Sequence, residues 1–315
     1  MTEERIEAIL GFDRGRKIIS DRCSTEYATA RKFSTDAKTI RKRLQLTDEM
    51  RLIVMFEESF PSSGYIDCVG FLEMLTNTGA NIDLVSLGKL RTMLETLRRV
   101  SGFFGNIKDG VYPELKKMVG GITLFPEVQQ RIDSILDKFG NVKDTASDDL
   151  YDIRRKLKDK ESAISKRIGM ILKKAQTDGL VDSDASVVMR DGKMLIPVNS
   201  ANKRKIQGFV YDESASGKTT FIEPAEIVEI SNEISELHFA ETREIARILY
   251  DFSDWVRPFV PELLDGAKCI GELDFLIAKA QTALDFVAGM PIISEESEMD
   301  LRKARHPLLE RSLKK

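Results

Sequence analysis

Tyr211-Asp-Glu-Ser-Ala-Ser-Gly-Lys-Thr-Thr-Phe-Ile-Glu-Pro224 is the stretch on which the reading of this chain turns. Its Gly217-Lys218-Thr219 looks like the tail of a phosphate-binding loop. That motif requires a glycine five positions before Gly217, where this sequence has Asp212. It also requires a helix directly afterwards, whose first N–H groups hold the phosphate. Thr219, Thr220, Phe221 and Ile222 occupy those positions instead, a β-branched and aromatic run that reads as a strand ending at Pro224. The motif is better explained as a turn: Gln207 to Asp212 and Thr219 to Ile222 form a hairpin around Ser-Ala-Ser-Gly, with Gly217 supplying the backbone geometry.

A second hairpin lies just upstream. Ser186 to Arg190 and Lys193 to Val198 are strand-like and flank Asp191-Gly192, a pair suited to a two-residue turn with positive φ at both positions. Pro197 argues that its strand lies at an edge or starts irregularly. Residues 182–224 therefore read as a small antiparallel sheet of about four strands.

Long helical patterns enclose this sheet. From Ser147 to Gln176 a narrow apolar seam runs through Leu150, Ile153, Leu157, Ile164, Ile168, Ile171 and Ala175. Lys160 fills one slot in the seam, its stem along the interface and its ammonium wet. From Ala225 to Phe259 a matching seam runs through Ile227, Ile230, Ile234, Leu237, Ile245, Ile248, Phe252, Trp255 and Phe259. A polar gap at Glu241 and Glu244 reads as a stutter. Two narrow seams of matched length suggest an antiparallel pair, an arm that leaves a globular body and returns to it with the sheet at its tip.

The first 140 residues read as helices. Ile6, Ile9 and Leu10 share one face, Asp36 or Thr35 caps a second helix and Thr47 a third. Two or three more helices lie between Asp67 and Val100. Gly102, Gly105, Gly110, Pro113, Gly120, Gly121 and Pro126 then break the pattern into short pieces. The fold class expected is mainly α.

Composition sets outer bounds. The chain has 315 residues, 42% hydrophobic and 31% charged, which suffices for two or three domains with a substantial core. A net charge of −3 provides no global field toward nucleic acid, so anion binding has to come from local clusters. Cys23, Cys68 and Cys269 are scattered and odd in number, and His238 and His306 are the two histidines. That pattern suggests neither a disulfide framework nor a metal site, and fits a cytoplasmic protein. Neither a signal pattern nor an apolar run of ~18–20 residues points to export or a membrane. Adjacent acids at Asp148-Asp149 and Glu295-Glu296 fit helix starts or turns better than acid–base pairs. No catalytic residue, cofactor site or metal ligand set is expected in this chain.

Local charge gathers on the sheet. Arg190, Lys193, Lys203, Arg204, Lys205 and Lys218, with the hydroxyls of Ser214 and Ser216, form a candidate surface for phosphate oxygens. Asp191, Gly192, Gly217 and Pro224 are the turn-forming residues. Cations on the first long helix, among them Arg154, Arg155, Lys156, Lys158, Lys166 and Lys173, read as a solvated face.

Together these residues resemble the MutS family of DNA-handling ATPases, and within it a second branch without the mismatch-reading domain and usually with a C-terminal Smr-type nuclease. The most specific match is Gly208-Phe-Val-Tyr-Asp212 with Ser214-Ala-Ser-Gly217, Thr219 and Phe221-Ile-Glu-Pro224. Arg190-Asp-Gly192 with Ile196-Pro-Val198 fits the other hairpin. Asp144-Thr-Ala-Ser147 with Leu150, Ile153 and Arg154 fits the start of the arm, and Asn232-Glu233 with Leu237 its return. Ala304-Arg-His-Pro-Leu308 resembles the junction before the family's ATPase domain.

The resemblance implies core segments at 1–143 and 260–303, lever helices at 144–181 and 225–259, a clamp at 182–224 and a junction at 304–315. It implies a parent that is an ATPase using ATP and Mg and also an endonuclease, and a homodimer whose clamps close on branched or duplex DNA. The chain has no Walker motifs, so ATPase and nuclease chemistry are expected of the parent and not of these residues. Two other partners fit the same surface: RNA or the ribosome, or none, as in a coiled-coil scaffold. A P-loop ATPase is the fourth reading, and it requires nucleotide binding at Gly217.

Overall fold

The computed structural model describes residues 9, 11–26, 34–296, 298–302 and 304–313. Ile6 and Leu10 of the expected N-terminal apolar face lie outside them, and Ile9 is exposed. The fold is mainly α with one small antiparallel sheet among the described residues, and packing divides it into two compact units. The first comprises the described residues up to Asn141 and those from Tyr250 onward, the second Val142–Leu249. No helix among the described residues is long and apolar enough to cross a membrane.

The first unit is built around α9 (Val260–Asp285), which is buried on several sides through Leu263, Ala267, Ile270, Leu273, Leu276 and Ala280. It packs against α1 (Phe12–Ser20), α2 (Ala37–Phe56), α3 (Val69–Leu75) and α4 (Leu84–Asn106). Short helices α5 (Pro113–Gly120) and α6 (Pro126–Ile135) fill the side, and α10 (Pro307–Leu313) closes the described chain. Buried Asp274 of α9 accepts hydrogen bonds from Ser24 N–H, Thr25 N–H and the Thr25 hydroxyl at 2.8–2.9 Å, which satisfy its carboxylate. Cys23, Cys68 and Cys269 are free thiols.

Two helix boundaries differ from those the sequence suggests. Asp36 does cap α2, accepting from Thr39 N–H at 2.8 Å, but Thr47 starts no further helix. It lies inside α2, and its hydroxyl bonds back to Arg43 O at 2.8 Å, an option open to a mid-helix threonine. Gly102 and Gly105 likewise do not end a helix, because α4 continues to Asn106. Phe103 and Phe104 beside them are buried edge-on against Phe60 with ring centroids at 5.0 and 6.1 Å, and that packing outweighs the ~1 kcal/mol each glycine costs.

The second unit is a helical hairpin carrying the sheet. Its helices are α7 (Asp148–Thr177) and α8 (Ala225–Val256), the latter continuing into the first unit. Ser147 caps α7 by accepting from Leu150 N–H at 3.0 Å. The α7 seam buries Leu150, Leu157, Ile164, Ile168 and Ala175, in steps of seven and four. Polar contacts along the seam show the antiparallel register: Ser147 meets Glu244, Arg154 meets Glu241, Lys160 meets Glu233 and Arg167 meets Glu226. Residue numbers rise on α7 as they fall on α8. The expected stutter at Glu241 and Glu244 thus has a specific cause, since these carboxylates receive Arg154 at 2.7 Å and the Ser147 hydroxyl at 2.6 Å.

The sheet has strand order β1-β2-β4-β3: β1 (Val188–Arg190), β2 (Lys193–Asn199), β3 (Gly208–Glu213) and β4 (Thr219–Pro224). Ile196, Val198 and Ile222 form one core with Ile164, Ile168, Ala175 and Ile227 of the helices. The edge expected at Pro197 is not there, because β2 lies between β1 and β4. Proline is tolerated because the β1 ladder ends at Val188–Leu195, two residues before it, leaving β2 locally unpaired on that side.

Candidate nucleic-acid interface

Strand register fixes where each candidate residue lies. Asn199 pairs with Thr219, so the β3–β4 turn and the loop after β2 share one end of the sheet. Asp191 and Gly192, with φ of 47° and 78°, make the β1–β2 turn at the other end. Gly217 has φ of 67°, and its N–H bonds to Ser214 O at 2.8 Å. Thr219 N–H donates to the Ser214 hydroxyl at 3.1 Å, and Ser214 and Ser216 hydroxyls lie 3.4 Å apart. Both serines therefore sit in the turn, with Ser214 already helping to close it. Lys218 leads straight into β4, so a strand and not a helix N-terminus directly follows Gly217. An ATP cradle does not fit these residues.

The six candidate cations fall into two groups. Arg190 lies over the Phe221 ring at 3.8 Å and pairs with Asp212 of β3. Lys193 pairs with Glu223 at 2.6 Å, and Lys203 with Glu213 at 3.0 Å. Each of these three is already balanced by a carboxylate of the sheet. Arg204, Lys205 and Lys218 are exposed and make no ion pair among the described residues. Ser200 N–H donates to Lys218 O at 3.0 Å, and Lys205 N–H to Asn202 O at 2.9 Å, which sets the Ser200–Lys205 loop beside the turn. A further bond of 2.9 Å between the Ser200 and Thr220 hydroxyls ties the loop to β4.

Arg190 and Lys193 of the neutralised group belong to a network across the other face of the sheet. Leu195, Phe221 and Glu223 are buried there, although they point away from the helices. The Tyr211 hydroxyl donates to Asp191 at 2.6 Å, and this bond to a carboxylate raises the tyrosine pKa. Together with Arg190–Asp212 it joins the two outer strands, which are not neighbours in the sheet. Asp212, Glu213 and Glu223 were not among the candidate residues read from sequence. Their signal was present in strand alternation: Phe221 and Glu223 must share a face once Ile222 faces the helices. Gly208 is fixed by close approach, because a Cβ there would come 2.3 Å from Glu223 O.

No family model matches the chain. Among curated proteins it is 34% identical over 266 residues to the protein named Endonuclease MutS2 of Streptococcus suis (strain 05ZYH33), covering 84% of this chain and 33% of that protein. It is 29% identical over 314 residues to Endonuclease MutS2 of Listeria innocua, covering 98% and 40%. With the protein of the same name from Leuconostoc mesenteroides it shares 30% identity over 318 residues, covering 98% and 39%. The chain thus spans a third to two fifths of the length of the curated relatives it matches.

Proposed function

The chain belongs to the second branch of the MutS family, and from that membership we propose that its sheet is a clamp that grips the backbone of branched or duplex DNA without reading sequence. One observation carries the proposal. Of six cations on the sheet, three are consumed by internal carboxylates, and the three left over, Arg204, Lys205 and Lys218, stand on two segments bound to each other at one end. A protein surface that neutralises some cations and leaves a local group unpaired is suited to phosphate, whose contacts position a duplex.

In this reading the helical hairpin is a stiff lever beneath the clamp. ATP hydrolysis with Mg, strand cleavage and homodimerisation are assigned in this reading to the longer parent and not to these residues. A dimer would close two clamps on one DNA, so a single chain binds weakly and needs low salt.

The test is a titration of a fluorescent four-way junction over a range of salt. Replacing Arg204, Lys205 and Lys218 together by Gln should lower the slope of log affinity against log salt by about 2 to 3. Replacing Arg190 and Lys193 should disturb folding of the sheet before it alters that slope. An unchanged slope in the first variant overturns the clamp assignment.

A further inference from the structure

The half of α7 on which the sheet is seated has an unusual charge pattern. Between Ser162 and Thr177 there is no acidic residue, while Lys166, Arg167, Lys173 and Lys174 are present. The facing half of α8 is the reverse: from Ala225 to Thr242 it carries Glu226, Glu229, Glu233, Glu236 and Glu241 and no Lys or Arg. The hairpin is therefore basic along one helix and acidic along the other where it supports the sheet.

The basic side is itself sorted by direction. Cations beside the seam, Arg154, Lys160 and Arg167, turn to glutamates of α8. Opposite the seam, Arg155, Lys158, Ser162, Lys166, Gly169 and Lys173 recur at steps of three and four, which places them in one row along the helix. All six are exposed. Arg155 pairs with Asp152 at 3.1 Å in an exposed pair, whereas Lys158, Lys166 and Lys173 make no ion pair among the described residues. Small residues at Ser162 and Gly169 leave the helix surface open between the lysines. From Lys158 to Lys173 the row runs about 22 Å at ~1.5 Å per residue. Offsetting the helix dipole would explain cations within the last turn, and Lys158 and Lys166 lie outside it.

We propose that this row is a second contact surface for a nucleic-acid phosphate backbone, so that DNA held at the clamp also lies along α7 and is kept off α8 by its glutamates. The proposal rests on the clamp reading, and it changes what that reading says about the lever: the outer half of the arm is part of the binding surface. It assigns Lys158, Lys166 and Lys173 to the contact, each as a point charge on phosphate.

The experiment uses the full chain and a fluorescent DNA duplex of about 24 base pairs, titrated from low to moderate salt. A Lys158/Lys166/Lys173→Gln variant keeps helix-compatible side chains. It is expected to raise Kd more than about tenfold at the lowest salt and to reduce the salt slope by about 2 to 3. A variant with Arg at the same three positions should keep the wild-type slope, and thermal melting should be unchanged in both.

Slope lost with the Arg204/Lys205/Lys218→Gln variant but retained with the lever variant overturns this inference and leaves the clamp reading standing. Absence of salt-dependent binding by the unsubstituted chain overturns both. Loss of slope in the Arg variant as well contradicts a role for charge. Sedimentation without DNA should be the same for all variants. A self-association that the lever variant abolishes would show that the row meets the acidic α8 of a second copy, and would also overturn the proposal.

Discussion

Ser147 performs two tasks with one hydroxyl: it caps α7 through Leu150 N–H and donates to buried Glu244. Ser147→Ala should therefore cost about 1 to 2 kcal/mol in urea unfolding monitored by circular dichroism. Glu244 is held below the usual carboxylate range, first by the hydrogen bonds from Arg247 and then, against the cost of burial, by that from Ser147. A depressed folded pKa stabilises above the unfolded value, and the contribution fades as pH falls through the folded one. Glu244→Gln should destabilise at about pH 7, and the difference should shrink as pH falls below the ordinary carboxylate range. Burial pushes the Cys68 and Cys269 thiols up to about 12, so neither should react with a thiol reagent near pH 8 while the chain stays folded. Caps such as Asp36 and Ser147 are visible in sequence because the hydroxyl or carboxylate acts within three residues. The partners of Arg190, Lys193 and Lys203 are not, because strand register brings them from 10 to 30 residues away.

At the level of elements, the hairpin depends on a narrow seam. Ile164 touches the sheet core as well as the seam and is 3% exposed. Ile164→Ala should cost about 2 to 5 kcal/mol and loosen the sheet together with the helices. A readout confined to the sheet is Tyr211, whose environment depends on Asp191 of the opposite hairpin. Gly208→Ala should perturb β3 and β4 while leaving helix content nearly intact, because the added methyl meets Glu223 O. Both hairpins and both long helices were legible in sequence, since Asp191-Gly192 and the seam spacing act locally. Strand order was not. It placed Pro197 on an inner strand, a choice made by the short β1 ladder rather than by propensity. The same limit applies to Gly102 and Gly105, where distant Phe60 decides that α4 continues.

Across the molecule, a net charge of −3 conceals the separation of charge on which the functional reading depends. Family membership was legible because the residues that carry the resemblance, Gly208 to Pro224, are consecutive in one hairpin. The division of six cations into balanced and unbalanced sets was not, because it depends on which carboxylate each one meets after folding. The most direct measurement of the central claim is lysine acetylation read by mass spectrometry, with and without saturating duplex DNA at low salt. The account expects Lys205 and Lys218 to lose reactivity on DNA binding, while Lys193, paired with Glu223, changes little. Unchanged reactivity of Lys205 and Lys218 under conditions where DNA is bound would contradict it.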